Sequence, residues 1–164
     1  RRQVGVQQLH RHPLLIEAFA EKLRPLLPAG RVIFTAHSLP EKALAADDPY
    51  ESEARATAQA VAARAGLKDF DFAFQSQGLA GGRWLGPNVE TVLDGYASGG
   101  VTDVVLQPVG FVADHIEILY DIDIAFRQYA SERGMRLRRT ESLNDSPTFI
   151  AALAAVVRER LEAA

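Results

Sequence analysis

The feature that most constrains this chain is a repeated change of hydrophobic period. Residues 31–36, Arg31-Val32-Ile33-Phe34-Thr35-Ala36, form a short and nearly all-apolar run. Residues 70–76 and 103–107 are of similar kind, and 135–139 is a weaker, charged version. Runs this short without polar alternation read as strands buried on both faces, the habit of parallel sheets. Between them lie segments of helical period. The stretch 50–65 is rich in Ala and closed by Gly66, a second starts at the N-cap candidate Asn88 and ends before Gly99-Gly100, and a third spans 114–133 with Asp114 as expected cap. A helix precedes the first strand, with Leu14, Leu15, Ala18, Phe19 and Leu23 at helical spacing and Pro13 in its first turn. A last helix is expected after Asn144 or Asp145, with Phe149, Ile150, Leu153, Val156, Val157 and Leu161 on its buried stripe. The order α-β-α-β-α-β-α-β-α predicts an α/β fold, a doubly wound four-stranded parallel sheet of strand order 2-1-3-4.

Composition narrows the function classes. With 164 residues and 48% apolar content the chain builds one domain with a core. No apolar run approaches the roughly 18 residues of a membrane span. The net charge is −3 and the basic residues are scattered, so no nucleic-acid surface is expected. There are no cysteines, which excludes disulfides, thiolate metal ligands and a thiol nucleophile from this stretch. Arg1-Arg2-Gln3-Val4 lacks the apolar core of a signal peptide, and the absence of an initiator Met suggests a piece of something longer.

In open sheets of this type ligands sit beyond the carboxyl ends of the strands, where the strand order reverses. In order 2-1-3-4 that point lies between the strands ending at Ala36 and Gln107. His37 follows the first of these, and an imidazole there can move a proton or bind a metal. The plainer reading is a histidine hydrogen-bonded to a loop backbone. Beyond the other strand, Glu117, Asp121 and Ala125 are spaced by four, which stacks two carboxylates on one helix face. The plainer reading is a solvated acidic face near a helix start. Convergence favours chemistry, because His37 and Glu117 should reach one pocket. Trp84, on a glycine-rich loop, offers a flat wall or a core anchor. The apolar loop Val109-Gly110-Phe111-Val112-Ala113 suits a large apolar ligand better than a phosphate, and neither GxGxxG nor GxxxxGK[ST] occurs.

These residues resemble the ferrochelatase family. Thr35-Ala36-His37-Ser38-Leu39-Pro40 is similar to its Ala-His-Ser-Leu-Pro segment, followed by Asp48-Pro49-Tyr50. Gln75-Ser76 and Trp84-Leu85-Gly86-Pro87 resemble two further family segments. The most specific match is Val109-Gly110-Phe111-Val112-Ala113-Asp114-His115-Ile116-Glu117-Ile118-Leu119-Tyr120-Asp121. Leu143-Asn144-Asp145, Pro147 and Phe149-Ile150 resemble the closing segment, and His12-Pro13 the opening of the family's second half.

The resemblance implies a lyase of haem biosynthesis that inserts ferrous iron into a porphyrin, coproporphyrin III or protoporphyrin IX. It implies the C-terminal half, residues 1–164, of a two-domain fold of flavodoxin-like halves, with the N-terminal half as missing partner and the isolated segment inactive. Carried over by motif, His37 and Glu117 are catalytic, His37, Glu117 and Asp121 handle the metal, and Trp84, Ser38, Val109 and Phe111 contact substrate. The family's third acid is replaced by Ala125. Fe²⁺ is substrate metal, and no iron–sulfur ligands are present. A cytoplasmic enzyme is expected, with peripheral membrane contact or self-association left open. The alternatives are a short cobalt or nickel chelatase acting as a homodimer, and a non-catalytic porphyrin-binding module.

Overall fold

A computed structural model describes residues 9–78 and 81–162 of the chain. The opening Arg1-Arg2-Gln3-Val4 and positions 79–80 of the glycine-rich loop lie outside the described residues. The strands are β1 Arg31–His37, β2 Asp71–Gln75, β3 Asp103–Pro108 and β4 Arg136–Arg139. They form one parallel sheet in the order β2-β1-β3-β4. Along a strand successive side chains alternate between faces. Val32, Phe34 and Ala36 of β1 therefore pack with α1 (Pro13–Leu23), α2 (Tyr50–Ala65) and α5 (Pro147–Glu162). Ile33 packs on the other face with α3 (Val89–Ser98) and the helical segment after β3. Both faces are covered, which explains why β1 carries apolar residues without alternation. Phe34, Phe74, Ile33 and Leu106 are fully buried, each contributing about 1.5–3 kcal/mol relative to exposure.

Three local expectations need correction. The stretch 114–133 is not one α-helix capped by Asp114. The helical turn opens at Ile116, becomes a π-helix over Ile118–Phe126 and continues as α4, Arg127–Ser131. The carbonyl of His115 accepts from Leu119 N–H at 3.0 Å, while the Asp114 carboxylate is occupied by Ser142, Asn144 and Arg139. The wide turn has a consequence for the stripe. In an α-helix a period of four drifts by about 40° at each step, because the turn holds 3.6 residues. The i→i+5 bonding of a π-helix reduces that drift. Ile118, Ile122 and Phe126 all stay buried, and Glu117, Asp121 and Ala125 follow the same period one position earlier.

The cap of α5 is also different. Ile150 N–H reaches Ser146 O at 3.0 Å, so the helix opens at Ser146 rather than at Asn144 or Asp145. Asn144, at φ 46°, is instead drawn toward Asp114. Finally, the stripe of α5 is divided. Phe149 and Ala152 are buried against the core, whereas Ile150, Leu153, Val157 and Leu161 are exposed. Phe149 and the small Ala152 are the α5 residues buried in the cluster shared with α1, so its inward face is narrow and the larger residues fall outside it.

Candidate functional site

His37 is the last residue of β1, at the point where the order of strands reverses. The loop after β3 crosses directly over this strand end. Gly110 N–H bonds Thr35 O at 3.1 Å. A Cβ at Gly110 would sit 2.8 Å from both Cα and Cβ of Ala36. Only glycine permits that approach, and it brings Phe111 to a ring-centroid distance of 6.2 Å from His37.

Each imidazole nitrogen has an oxygen neighbour. Nδ1 lies 2.5 Å from Ser38 O. A carbonyl only accepts, so Nδ1 carries the hydrogen, and Nε2 offers a lone pair when the ring is neutral and an N–H when it is charged. Nε2 faces Glu117 Oε2 at 3.4 Å. The loop-bonded histidine and the cleft histidine are therefore the same residue, seen from its two nitrogens. Tyr50, the first residue of α2, donates from its hydroxyl to His37 O at 2.7 Å, and burial pushes this phenol's pKa up. The side chains of His37 and Glu117 are 34% and 50% exposed, which leaves the pair open to a ligand.

Asp121 does not join this pair directly. Its Oδ2 accepts from Ser76 Oγ at 2.5 Å. Ser76 follows β2 with φ 60°, a left-handed backbone that a non-glycine residue adopts at a cost. A cleft of about 180 Å³ lies beside this contact, lined by Ser76, Asn88, Glu90, Asp121 and Ala125, among others. Ala125 thus faces the same space as Asp121, and Glu90 enters it from the first turn of α3. Among the described residues no group of three or more His, Asp or Glu side chains could hold a metal ion. His37 and Glu117 bring together one imidazole nitrogen and one carboxylate oxygen.

In the sequence Ser76 stands only within a segment of the family resemblance, not among the site candidates, and Glu90 is not singled out. Attention to the end of β2 as well as to the switch point would have found Ser76. Glu90 carried no signal, since an acid in a first helical turn is commonplace.

The other sequence candidates occupy different depths. Ser38 is fully buried, with its hydroxyl donated to Leu85 O at 2.8 Å. Leu85 N–H bonds Leu39 O at 3.0 Å, and Trp84 bridges Pro40, so the Trp84 loop is stitched to the segment after His37. The Trp84 ring abuts Gly78, where an added Cβ would meet its Cη2 at 3.0 Å. Val109 is 7% exposed and packs in the core, while Phe111 is half-buried between His37 and His115, 5.0 Å from the latter. Val112, Ile116, Leu119 and Tyr120 are exposed near the pair, Ile116 at 81%.

Comparison with known proteins gives three further findings. The ferrochelatase family model matches residues 3–161. A ferrochelatase of Acidobacterium capsulatum is 46% identical over 172 residues, covering 91% of this chain and 53% of that protein. A coproporphyrin III ferrochelatase of Geobacillus kaustophilus is 40% identical over 164 residues, covering 94% and 52%. The chain thus spans about half the length of the curated relatives it matches. In fold it is similar to a crystal structure described as a cobalamin (vitamin B12) biosynthesis CbiX protein of Marinobacter aquaeolei VT8. The TM-score is 0.59 at 19% identity, covering 82% of this chain and 98% of that one.

Proposed function

The chain belongs to the ferrochelatase family, and from that premise we propose that it is the C-terminal half of a cytoplasmic enzyme inserting Fe²⁺ into a porphyrin. The observation that carries the reading is the 3.4 Å approach of His37 Nε2 to Glu117 Oε2 at the strand-order reversal. Metallation of a porphyrin releases two pyrrole protons and strips water from the cation. The His37 lone pair at Nε2 takes up a pyrrole proton, ligates the ferrous ion, or does both in turn. Glu117 receives that proton from the imidazole and releases it to solvent, which frees Nε2 for the second pyrrole proton, or it passes a cation to the ring. Asp121, held by Ser76, guides a hydrated cation toward that pair. Trp84 and Phe111 meet the macrocycle, with Val109 supporting the loop and Ser38 holding the Trp84 segment in place.

The exposed Val112, Ile116, Leu119 and Tyr120 support a large apolar ligand and a covering partner. The N-terminal half of the same protein supplies that cover, and without it this face self-associates or contacts a membrane surface. Among the described residues no helix is long and apolar enough to cross a membrane. The substrate is a porphyrin dicarboxylate or tetracarboxylate, protoporphyrin IX or coproporphyrin III.

The test is loss of fluorescence of each metal-free porphyrin with Fe²⁺ under anaerobic conditions, for this chain alone and for the protein with its N-terminal half restored. Turnover only with the restored half is expected. Turnover by this chain alone would assign the cleft to two copies of it. A stoichiometric spectral shift without turnover in either form would leave a porphyrin-binding module.

A further inference from the structure

We propose that Arg139, at the end of β4, is the positioning residue of this site, a single guanidinium that clamps the chain on both sides of Glu117 and Asp121. Arg139 Nε and Nη2 bond the two oxygens of Asp123 at 3.0 and 2.8 Å, a bidentate fork on the π-helix. Its Nη1 reaches Asp114 Oδ1 at 3.3 Å, before that helix begins. The same nitrogen bonds Thr140 O at 3.1 Å and Ser142 Oγ at 3.4 Å, which anchors it to the segment after β4. Only 11% of the side chain is exposed.

Glu117 and Asp121 lie between the two clamped carboxylates, Asp114 and Asp123. The first arm is reinforced. Asp114 accepts from Ser142 Oγ at 2.7 Å and from Asn144 Nδ2 at 2.9 Å. Its N–H donates to Asn144 Oδ1 at 2.9 Å, and Asn144 N–H bonds Val112 O at 2.9 Å. Hydrogen bonds from Asn144 first, then Ser142, hold the Asp114 carboxyl below its ordinary pKa. A π-helix lacks the close fit of an α-helix and needs such support. The fork is geometrically matched to a carboxylate, which a lysine ammonium is not. Arg139 touches neither His37 nor any reacting atom, so it acts through the backbone that carries Glu117.

This inference rests on the reading of the cleft as a metallation site, and the experiment separates the two. In the protein with its N-terminal half restored, Arg139→Gln should lower kcat/KM for Fe²⁺ at least tenfold while the KM for porphyrin stays within twofold. Arg139→Lys should recover part of that loss. A merely structural residue would lower the active fraction and leave both KM values alone. A rate for Arg139→Gln within twofold of the parent, with the parent active, overturns the clamp. If the parent is inactive, the functional reading fails, and the crystal structure of Arg139→Gln still decides the clamp. Glu117 displaced from His37 supports it, and Glu117 unmoved overturns it. Should Arg139→Gln not fold, Asn144→Ala loosens only the Asp114 arm and is read by the same two measurements.

Discussion

The two ends of the sheet use their charges differently. At the amino ends of the strands Asp69, Asp71 and Asp103 each meet a guanidinium. Arg31, which opens β1, bonds Asp69 at 2.5 Å and Asp71 at 2.9 Å. Tyr96 adds a hydroxyl bond to Asp71. Arg138 of β4 forks onto Asp103 at 2.6 and 3.2 Å. The carboxyl ends carry a different set. Glu117 meets only an imidazole, Asp121 accepts from a hydroxyl, and the neighbouring apolar side chains are open. Charges at the first end are consumed in holding strands and helices together. At the second end Arg139 is likewise consumed on Asp114 and Asp123, whereas Glu117 and Asp121 face an imidazole and a hydroxyl and retain lone pairs for something that arrives. The parallel topology produces this division, because every strand presents its carboxyl end to the same edge of the sheet.

The contrast can be broken most severely at His37. His37→Ala in the protein with its N-terminal half restored should reduce iron insertion at least a hundredfold, the scale of a lost acid–base group. Circular dichroism and thermal melting should stay near the parent, because the ring is not part of the core. Glu117→Gln keeps the shape and removes the anion, and a loss of about tenfold or more is expected. Near-parent turnover in either would remove the functional meaning of the open end.

Gly110→Ala probes whether that end is also tightly built. The added methyl meets Ala36 at 2.8 Å, where the opposing atoms are backbone and a short side chain. A loss of about 1–3 kcal/mol of stability is expected from overpacking. The loop carrying Phe111 should lift from His37 and turnover should fall, both measured on one preparation. Unchanged stability and rate would mean that the crossing loop is slack.

The smallest effect belongs to the paired end. Arg138 holds the Asp103 carboxyl below its ordinary pKa, mainly through a direct hydrogen bond. A carboxyl with a depressed folded-state pKa stabilises above its unfolded pKa, and the contribution is lost as pH falls through the folded value. Asp103→Asn should therefore cost about 1–2 kcal/mol at pH 7, and the gap should narrow as pH drops below about 4. Denaturant melts at several pH values read this. Iron insertion at temperatures below melting should be unaffected, and a large catalytic loss would blur the division between the ends.

Much of this architecture was legible in the residues alone. The uninterrupted apolar runs around Phe34, Phe74 and Leu106 required a sheet covered on both faces, and the intervening helical segments required parallel crossovers in the order 2-1-3-4. From that order alone His37 and Glu117 fall on adjacent strand exits, and they meet at 3.4 Å. Asn88 is an N-cap as its position implied, accepting from Thr91 N–H. These features depend on neighbours in sequence, or on a periodicity that local sterics impose on any chain.

What tertiary structure decided depends on partners far away in the chain. Asp114 reads locally as a helix cap, yet its oxygens are taken by Ser142 and Asn144 from the far side of β4. Asp121 reads as the neighbour of Glu117, yet its hydrogen bond goes to Ser76, 45 residues earlier. The α5 stripe reads as uniformly buried, yet Leu153 and Val157 lie outside its contact with the core. A spacing of four says which residues share a helix face, but not how wide the turn is or which distant donors claim an acid. Those outcomes are set by competition among hydrogen-bonding partners, and that competition exists only once the strands and helices are assembled.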